Sequence, residues 1–305
     1  MSNKTSRIQE YLQENPSATT TLVATNLGVS TRMVRLVKSE IRKRTHGNKI
    51  NILFVDVETS PMEVFVWGLY KQQIPVQNVI KDWSLLSWSA KWLGVDGVMS
   101  ERVTANEAMD RQDASILGTL WELLDRADAV VAHNANKFDV RKINARFIEN
   151  GYAPPSSYSV IDTLKITQRN FGFSSHKLMY LTSLLDIESK METSYSLWKR
   201  CVAGDDTALD YMREYNEKDV VVLEELYLII RPWIKSHVNL GMFADDNEER
   251  CANCGSNKLN WKYMYHTAVS AFPSYRCLDC GAIGRSRFSK LTKEKRRNLT
   301  VSVAR

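Results

Sequence analysis

The stretch Ile50–Val57 is a nearly continuous apolar run, yet Asp56 sits near its end and Glu58 lies just beyond it. A run this short and this rich in Ile and Val reads as a buried strand. In a strand, residues i and i+2 project to one face. Asp56 and Glu58 therefore leave the strand's end side by side. A buried strand that delivers two acids to one spot constrains the fold, because something must neutralise them.

Two further segments carry groups of the same kind. Ala129-Val-Val-Ala-His133 reads as a second strand, leading through Asn134 to Asp139. A long helical pattern from about Thr207 to Trp233 carries Tyr215 and Asp219, which at i and i+4 share one helix face. Four carboxylates brought together without a counter-charge repel one another, and their pKa values rise. Two Mg²⁺ or Mn²⁺ ions would remove that penalty, since hard cations prefer oxygen ligands. Two ions roughly 3.5–4 Å apart can stabilise both the attacking and the leaving oxygen of an in-line phosphodiester displacement. An ordinary phenol with a pKa near ~10 is a poor base at neutral pH. Tyr215 is therefore expected to orient the attacking water rather than to take its proton.

In this order and on these elements, the fragments resemble the DEDD superfamily of 3′–5′ exonucleases. Motif one corresponds to Asp56 and Glu58. Motif two, in the style of family B DNA polymerase proofreading domains, corresponds to Asn134, Phe138 and Asp139, and motif three to Tyr215 and Asp219. The histidine branch needs a His five residues before the last Asp. Glu214 stands there, so the tyrosine branch fits. Val160–Lys165 and Ser174–Leu178, with Leu181 and Leu184 beyond, are similar to segments that follow motif two in this superfamily. Asp162 would support the site without binding metal. The resemblance covers residues 48–236, and Trp88-Ser-Ala-Lys-Trp92 is similar to a segment of nucleases encoded by bacteriophages.

The resemblance implies an α/β, ribonuclease H-like mixed sheet flanked by helices. It implies a metal-dependent 3′–5′ exonuclease acting on nucleic acid, DNA favoured, with two Mg²⁺ or Mn²⁺ on Asp56, Glu58, Asp139 and Asp219. Asn134 and Phe138 would touch the strand. A replication or recombination protein would be the protein partner. Two other functions stay open: a nucleic-acid-binding regulatory protein with an inert nuclease core, and a structure-selective endonuclease. His133 and His176 read as structural. Trp67, Trp88, Trp92 and Trp121 read as packing residues, with one or two free to stack on bases.

The net charge of +6 conceals a partition: +6 over residues 1–49, −10 over 50–249 and +10 over 250–305. An acidic core between basic ends suits an enzyme that neutralises its site with metals and holds a polyanion by phosphate contacts. The first end, residues 1–47, reads as a helix-turn-helix nucleic-acid-binding module. Helices are expected over Ser6–Glu14, Thr20–Leu27 and Thr31–Arg44, with a turn at Gly28 and a cap at Ser30. Val34 and Val37 would face inward, and Arg32, Arg35 and Lys38 would face the nucleic acid. A purely structural or protein-binding three-helix unit is the alternative.

The other end, residues 243–305, holds Cys251-Ala-Asn-Cys254 and Cys277-Leu-Asp-Cys280, a strong zinc signature. Gly255 and Gly281 follow the pairs, where backbone must curl around sulfur. Hairpin strands are expected around Trp261–Tyr265 and Ser274–Arg276, giving a zinc ribbon with a basic tail. Four thiolates close the shell around one structural Zn²⁺. Disulfides are the alternative, disfavoured in a cytosolic chain. Cys201 reads as a packed residue. Between the ends, residues 48–242 form the expected exonuclease domain, in which Ala114–Asp125 is a helix feeding the second strand. There is no apolar run of ~18 residues and no signal-peptide pattern at the start. The expected location is the cytoplasm, that of a bacterial host if the chain is phage-encoded, with no membrane partner.

Overall fold

The computed structural model describes residues 3–15, 18, 20–31, 33, 34, 37, 50–187, 191 and 193–301. The chain divides into two compact units, Met1–Ile50 with Met242–Glu248 and Asn51–Gly241 with Glu249–Arg305. In the first unit, α1 (Asn3–Glu14) and α2 (Thr20–Leu27) bury Ile8, Leu12, Val23 and Ala24 together with Val34 and Val37. The Ser30 hydroxyl accepts from Met33 N at 3.3 Å, the capping contact expected of it. Most of the expected third helix, including Arg32, Arg35 and Lys38, lies outside the described residues.

The main sheet of the second unit has five strands: β1 (Ile52–Thr59), β2 (Leu85–Trp92), β3 (Met99–Arg102), β4 (Ala129–Ala132) and β5 (Ser159–Asp162). Their order is β3-β2-β1-β4-β5. The β1–β2 and β2–β3 pairs are antiparallel, and β1–β4 and β4–β5 are parallel. Among the described residues, seven helices accompany the sheet: α3 (Ala105–Asp110), α4 (Ala114–Arg126), α5 (Asp139–Glu149), α6 (Thr163–Asn170), α7 (Leu178–Leu184), α8 (Tyr195–Val202) and α9 (Asp206–Ile230). This is the expected α/β mixed sheet flanked by helices.

Burial on both faces explains why the β1 sequence is apolar throughout its first half. Leu53, Val55 and Val57 join the cluster of Leu117, Leu120, Leu124, Ile143 and Phe147 from α4 and α5. The alternate residues face α9, where the Phe54 ring meets Tyr227 edge-on at 5.3 Å. On that same face the residues change from apolar Ile52 and Phe54 to acidic Asp56 and Glu58. A largely buried ion pair between α5 and the loop before α4 ties these layers together. Arg146 grips Asp113 through Nε at 2.7 Å and Nη2 at 2.8 Å, and Leu85 N donates to the same carboxylate at 2.8 Å.

Between β1 and β2 the chain forms a small hairpin, Glu63–Val64 with Val79–Lys81. Here one expectation fails: Trp67, read as packing, is 100% exposed. A two-stranded ribbon has no facing layer to bury into, and Phe65, Leu69, Tyr70 and Val76 are exposed with it. Trp88 and Trp121 do belong to the core, their indole N–H groups donating to Ile116 O and Ala153 O at 2.7 Å each. Leu181 is buried, whereas Leu184 is half-exposed.

The ribbon consists of β6 (Leu259–Thr267), β7 (Ser270–Cys277) and β8 (Ile283–Arg285), all antiparallel in the order β8-β7-β6. Gly255 and Gly281 adopt φ of +77° and +75°, the left-handed turn that lets each knuckle curl back on its sulfur. Asn253 Nδ2 donates to Arg231 O at 2.6 Å and joins the ribbon to the end of α9.

Candidate functional site

The register of β1 creates the site. Its parallel pairing with β4 runs only from Ile52 to Phe54, whereas antiparallel pairing with β2 continues through Asp56 and Glu58. Past Phe54 one side of β1 is thus open, at the carboxyl ends of the parallel strands. A bulge between Glu58 and Thr59 bends the strand at this point.

Asp139 enters the opening from the first turn of α5. Its carboxylate accepts from Val57 N, and its Oδ1 is buried without a protein partner. Asp219 and Tyr215 come from α9, one turn apart, and the Tyr215 hydroxyl donates to Asp219. One oxygen each from Asp56, Glu58 and Asp219 lies within 4.8 Å of the others. Asp139 stands outside that triad but close enough to push up both Asp56 and Glu58. The structure thus brings together all five residues singled out from the sequence.

Electrostatics leave the cluster short of positive charge. Burial, then repulsion from Asp139, Asp219 and Glu58, holds Asp56 well above the carboxylate range. Burial and the neighbouring acids push Glu58 up to about 8. Burial raises Asp139 to about 7 and Asp219 to about 6, Asp219 being restrained by the Tyr215 hydrogen bond. The Tyr215 phenol is pushed far above its ordinary value by burial and by the acids around it, so it keeps its proton. Oxygen donors, mutual repulsion and the orphaned Asp139 Oδ1 all fit a site for divalent cations.

Each of these acids has a folded pKa above its unfolded value, so the metal-free fold holds protons that the unfolded chain has released. That contribution to stability is fully present below about pH 4 and is lost as pH rises through about 6 to 8. The thermal midpoint without added divalent ions should therefore fall between pH 5 and 8 by several degrees, as ~1 kcal/mol moves it by about 2–4 °C. Mn²⁺ should flatten the slope. A midpoint equally insensitive to pH with and without Mn²⁺ would contradict the clustering.

Sequence reasoning missed Asn216. It is completely buried, its Nδ2 donates to Asp56 Oδ2 at 2.5 Å, and its Oδ1 accepts from the Ser87 hydroxyl at 3.4 Å. A signal was present: Leu209, Met212, Val220, Leu223 and Tyr227 form the buried stripe of α9, and Asn216 interrupts it. An amide on such a stripe requires a partner. Substituting Asn216 with Leu removes the group that orients Asp56. Weakening of Mn²⁺ binding by about tenfold or more is expected, the usual cost of losing an outer-shell partner, read by calorimetric titration. Unaltered affinity would assign Asn216 to packing alone.

The loop that leads to Asp139 is held from behind. Asp162 caps α6 through Lys165 N at 3.2 Å and accepts from Asn134 N at 3.2 Å and Asn136 N at 3.1 Å. That is the supporting role expected of it. Asn134 has φ of +78°, and Phe138 is half-buried against the main core. His133 bridges the Thr163 hydroxyl at 2.9 Å and His176 O at 2.8 Å, a structural tie that agrees with the sequence reading. Cys201 is buried.

A second group could hold metal. The sulfurs of Cys251, Cys254, Cys277 and Cys280 lie within 4.8 Å of one another. At Cys277 burial opposes ionisation, but the N–H groups of Cys280 and Asp279 outweigh it and hold the thiol at about 7. Among the described residues, no helix is long and apolar enough to cross a membrane.

Residues 93–230 match the profile of the RNase_H superfamily. The matched stretch includes Asp139, Tyr215 and Asp219 and begins after Asp56 and Glu58, which the strand register brings to them. The mixed sheet flanked by helices is ribonuclease H-like. Among similar solved structures is the family B DNA polymerase of the hyperthermophilic archaeon Pyrobaculum calidifontis. It is 13% identical, with 60% of this chain and 25% of that chain covered, at a TM-score of 0.40. The alignment thus spans a quarter of that polymerase. No curated protein matches this chain in sequence.

Proposed function

We propose that this chain is a metal-dependent nuclease and, more specifically, a 3′–5′ exonuclease of the tyrosine DEDD branch acting on nucleic acid, DNA favoured. The convergence of Asp56, Glu58 and Asp219, with Asp139 beside them and Tyr215 on Asp219, carries the proposal. The superfamily match over residues 93–230 supports a nuclease in general. The 3′–5′ polarity rests on the resemblance of the motifs.

Asp56, Glu58, Asp139 and Asp219 would hold two Mg²⁺ or Mn²⁺ ions. Bound there, the cations would supply the charge that stabilises the attacking and leaving oxygens of the phosphodiester. Tyr215 keeps its proton and spends it on Asp219. Its oxygen remains free to accept from a water and so to orient the nucleophile. Asn216 fixes the Asp56 carboxylate, and Asp162 and His133 fix the loop that delivers Asp139. In motif two, Asn134 and Phe138 are assigned to the bound strand. The four cysteines are assigned to one structural Zn²⁺.

Around this core the proposed organisation has three modules: 1–47 as a helix-turn-helix, 48–242 as the exonuclease and 243–305 as the zinc ribbon with its tail. A replication or recombination protein is the proposed partner, in the cytoplasm of a bacterial host if the chain is phage-encoded. The test is digestion of single-stranded DNA labelled at its 3′ or 5′ end, with Mg²⁺ or Mn²⁺. Immediate release of labelled mononucleotide from the 3′ end supports the proposal. Longer fragments from both labels would replace it with an endonuclease, and tight binding without cleavage with a regulatory binding protein.

A further inference from the structure

The ribbon sheet has one face turned inward. There Tyr275 meets Trp261 edge-on at 4.8 Å, and its hydroxyl accepts from Ala252 N at 3.1 Å, closing that face over the cysteine knuckles. The composition of the other face follows from register, because directly opposed residues of an antiparallel pair share a face. Tyr265 stands opposite Phe272, and Tyr263 opposite Ser274. Ser274 in turn stands opposite Arg285. With the two-residue period of a strand, all five lie on one side.

Two features of this face point to a ligand. Tyr263 and Tyr265 are each 49% exposed, so two neighbouring rings on one face are open to solvent. The Arg285 guanidinium lies 4.3 Å from the Phe272 ring centre and 5.3 Å from that of Tyr265, stacked on a ready-made platform. Beyond β8 the chain continues along β7, with Ser286 N and Lys290 N donating to Pro273 O and Ala271 O at 2.8 Å each. This brings exposed Arg287, Phe288 and Lys290 to the same sheet. Residues 250–305 carry twelve Lys and Arg against two acidic residues.

We propose that this ribbon face binds single-stranded nucleic acid. In this assignment Tyr263 and Tyr265 stack on unpaired bases and Arg285 anchors a backbone phosphate. Every base has a π-face, so aromatic stacking holds a strand without regard to sequence. In a duplex the bases are stacked on one another and offer the rings nothing, which selects the single strand. An arginine already held over aromatic rings loses little freedom on binding and keeps its N–H edges for phosphate oxygens. The proposal is independent of whether the carboxylate cluster cleaves.

The test is fluorescence anisotropy of the full chain without added Mg²⁺ or Mn²⁺. The probes are a labelled oligothymidine about 16 nucleotides long, the upper end of a typical single-strand site, and a duplex of equal length. Tyr263→Ala and Tyr265→Ala should each weaken strand binding by about tenfold, and Tyr265→Phe should restore most of it. Arg285→Ala should lower the salt dependence by about one phosphate contact. Zinc content, measured on each variant, separates loss of the face from loss of the ribbon. Unchanged strand affinity in both zinc-loaded tyrosine variants, or an equal loss of duplex affinity in them, would overturn the proposal. Because binding alone is read, either result leaves the nuclease assignment to its own test.

Discussion

Asp56→Ala is expected to lower metal-dependent cleavage by about three orders of magnitude or more, the effect of losing roughly 4 kcal/mol of transition-state stabilisation. The position is the most crowded of the four: repulsion from Asp139, Asp219 and Glu58 all converges on it. Removing this acid leaves too little negative charge to hold two cations. The fold should survive, because the substitution also removes a buried charge from a repelling cluster. It does leave the Asn216 amide without its acceptor, a penalty of about 1–3 kcal/mol. Asp56→Asn, equal in volume, serves as the control for that loss. Nucleic-acid binding should be largely retained in both variants. The measurement is label release from the 3′ end, with the thermal midpoint recorded alongside. Full activity in either variant would refute the assignment of the site.

Cys251→Ser should abolish zinc binding and unfold the ribbon while leaving the sheet domain folded. The ribbon's buried apolar core consists of little more than Cys251, Tyr275, Cys277 and Ala282, with Leu259 and Trp261 partly covered. So small a core does not offset the entropy of ordering the segment. Structural zinc contributes about 10–16 kcal/mol in comparable small domains. Atomic absorption should fall from one zinc per chain to none, and hydrogen exchange should rise across β6, β7 and β8. Amides of β1 and α9 should keep their protection, since a sheet buried on both faces holds them. Unchanged zinc stoichiometry would sink the assignment.

Both experiments act on residues that were legible from the chain alone, and the reason is local geometry. Asp56 and Glu58 are two residues apart on a strand, and Tyr215 and Asp219 four apart on a helix. Those intervals match the repeat of each element, so the direction of the side chains was fixed before any tertiary contact. The paired cysteines are similar, since a two-residue gap is the span of a knuckle around one metal. Helix α2 fell on its expected boundaries, Thr20–Leu27, ending at the left-handed turn of Gly28.

What only the tertiary structure decided depends on which elements face each other across the sheet. Asn216 reaches Asp56 across 160 positions of sequence. Glu224 is held by Lys91 Nζ at 2.5 Å and Gly94 N at 2.8 Å, across 133 and 130 positions. Trp67 has the composition of a core residue and lies wholly in solvent, because no layer faces its hairpin. The stacking face of the ribbon exists only through the register of three strands. Short-range periodicity fixes where a side chain points relative to its own backbone. Only packing fixes what it points at.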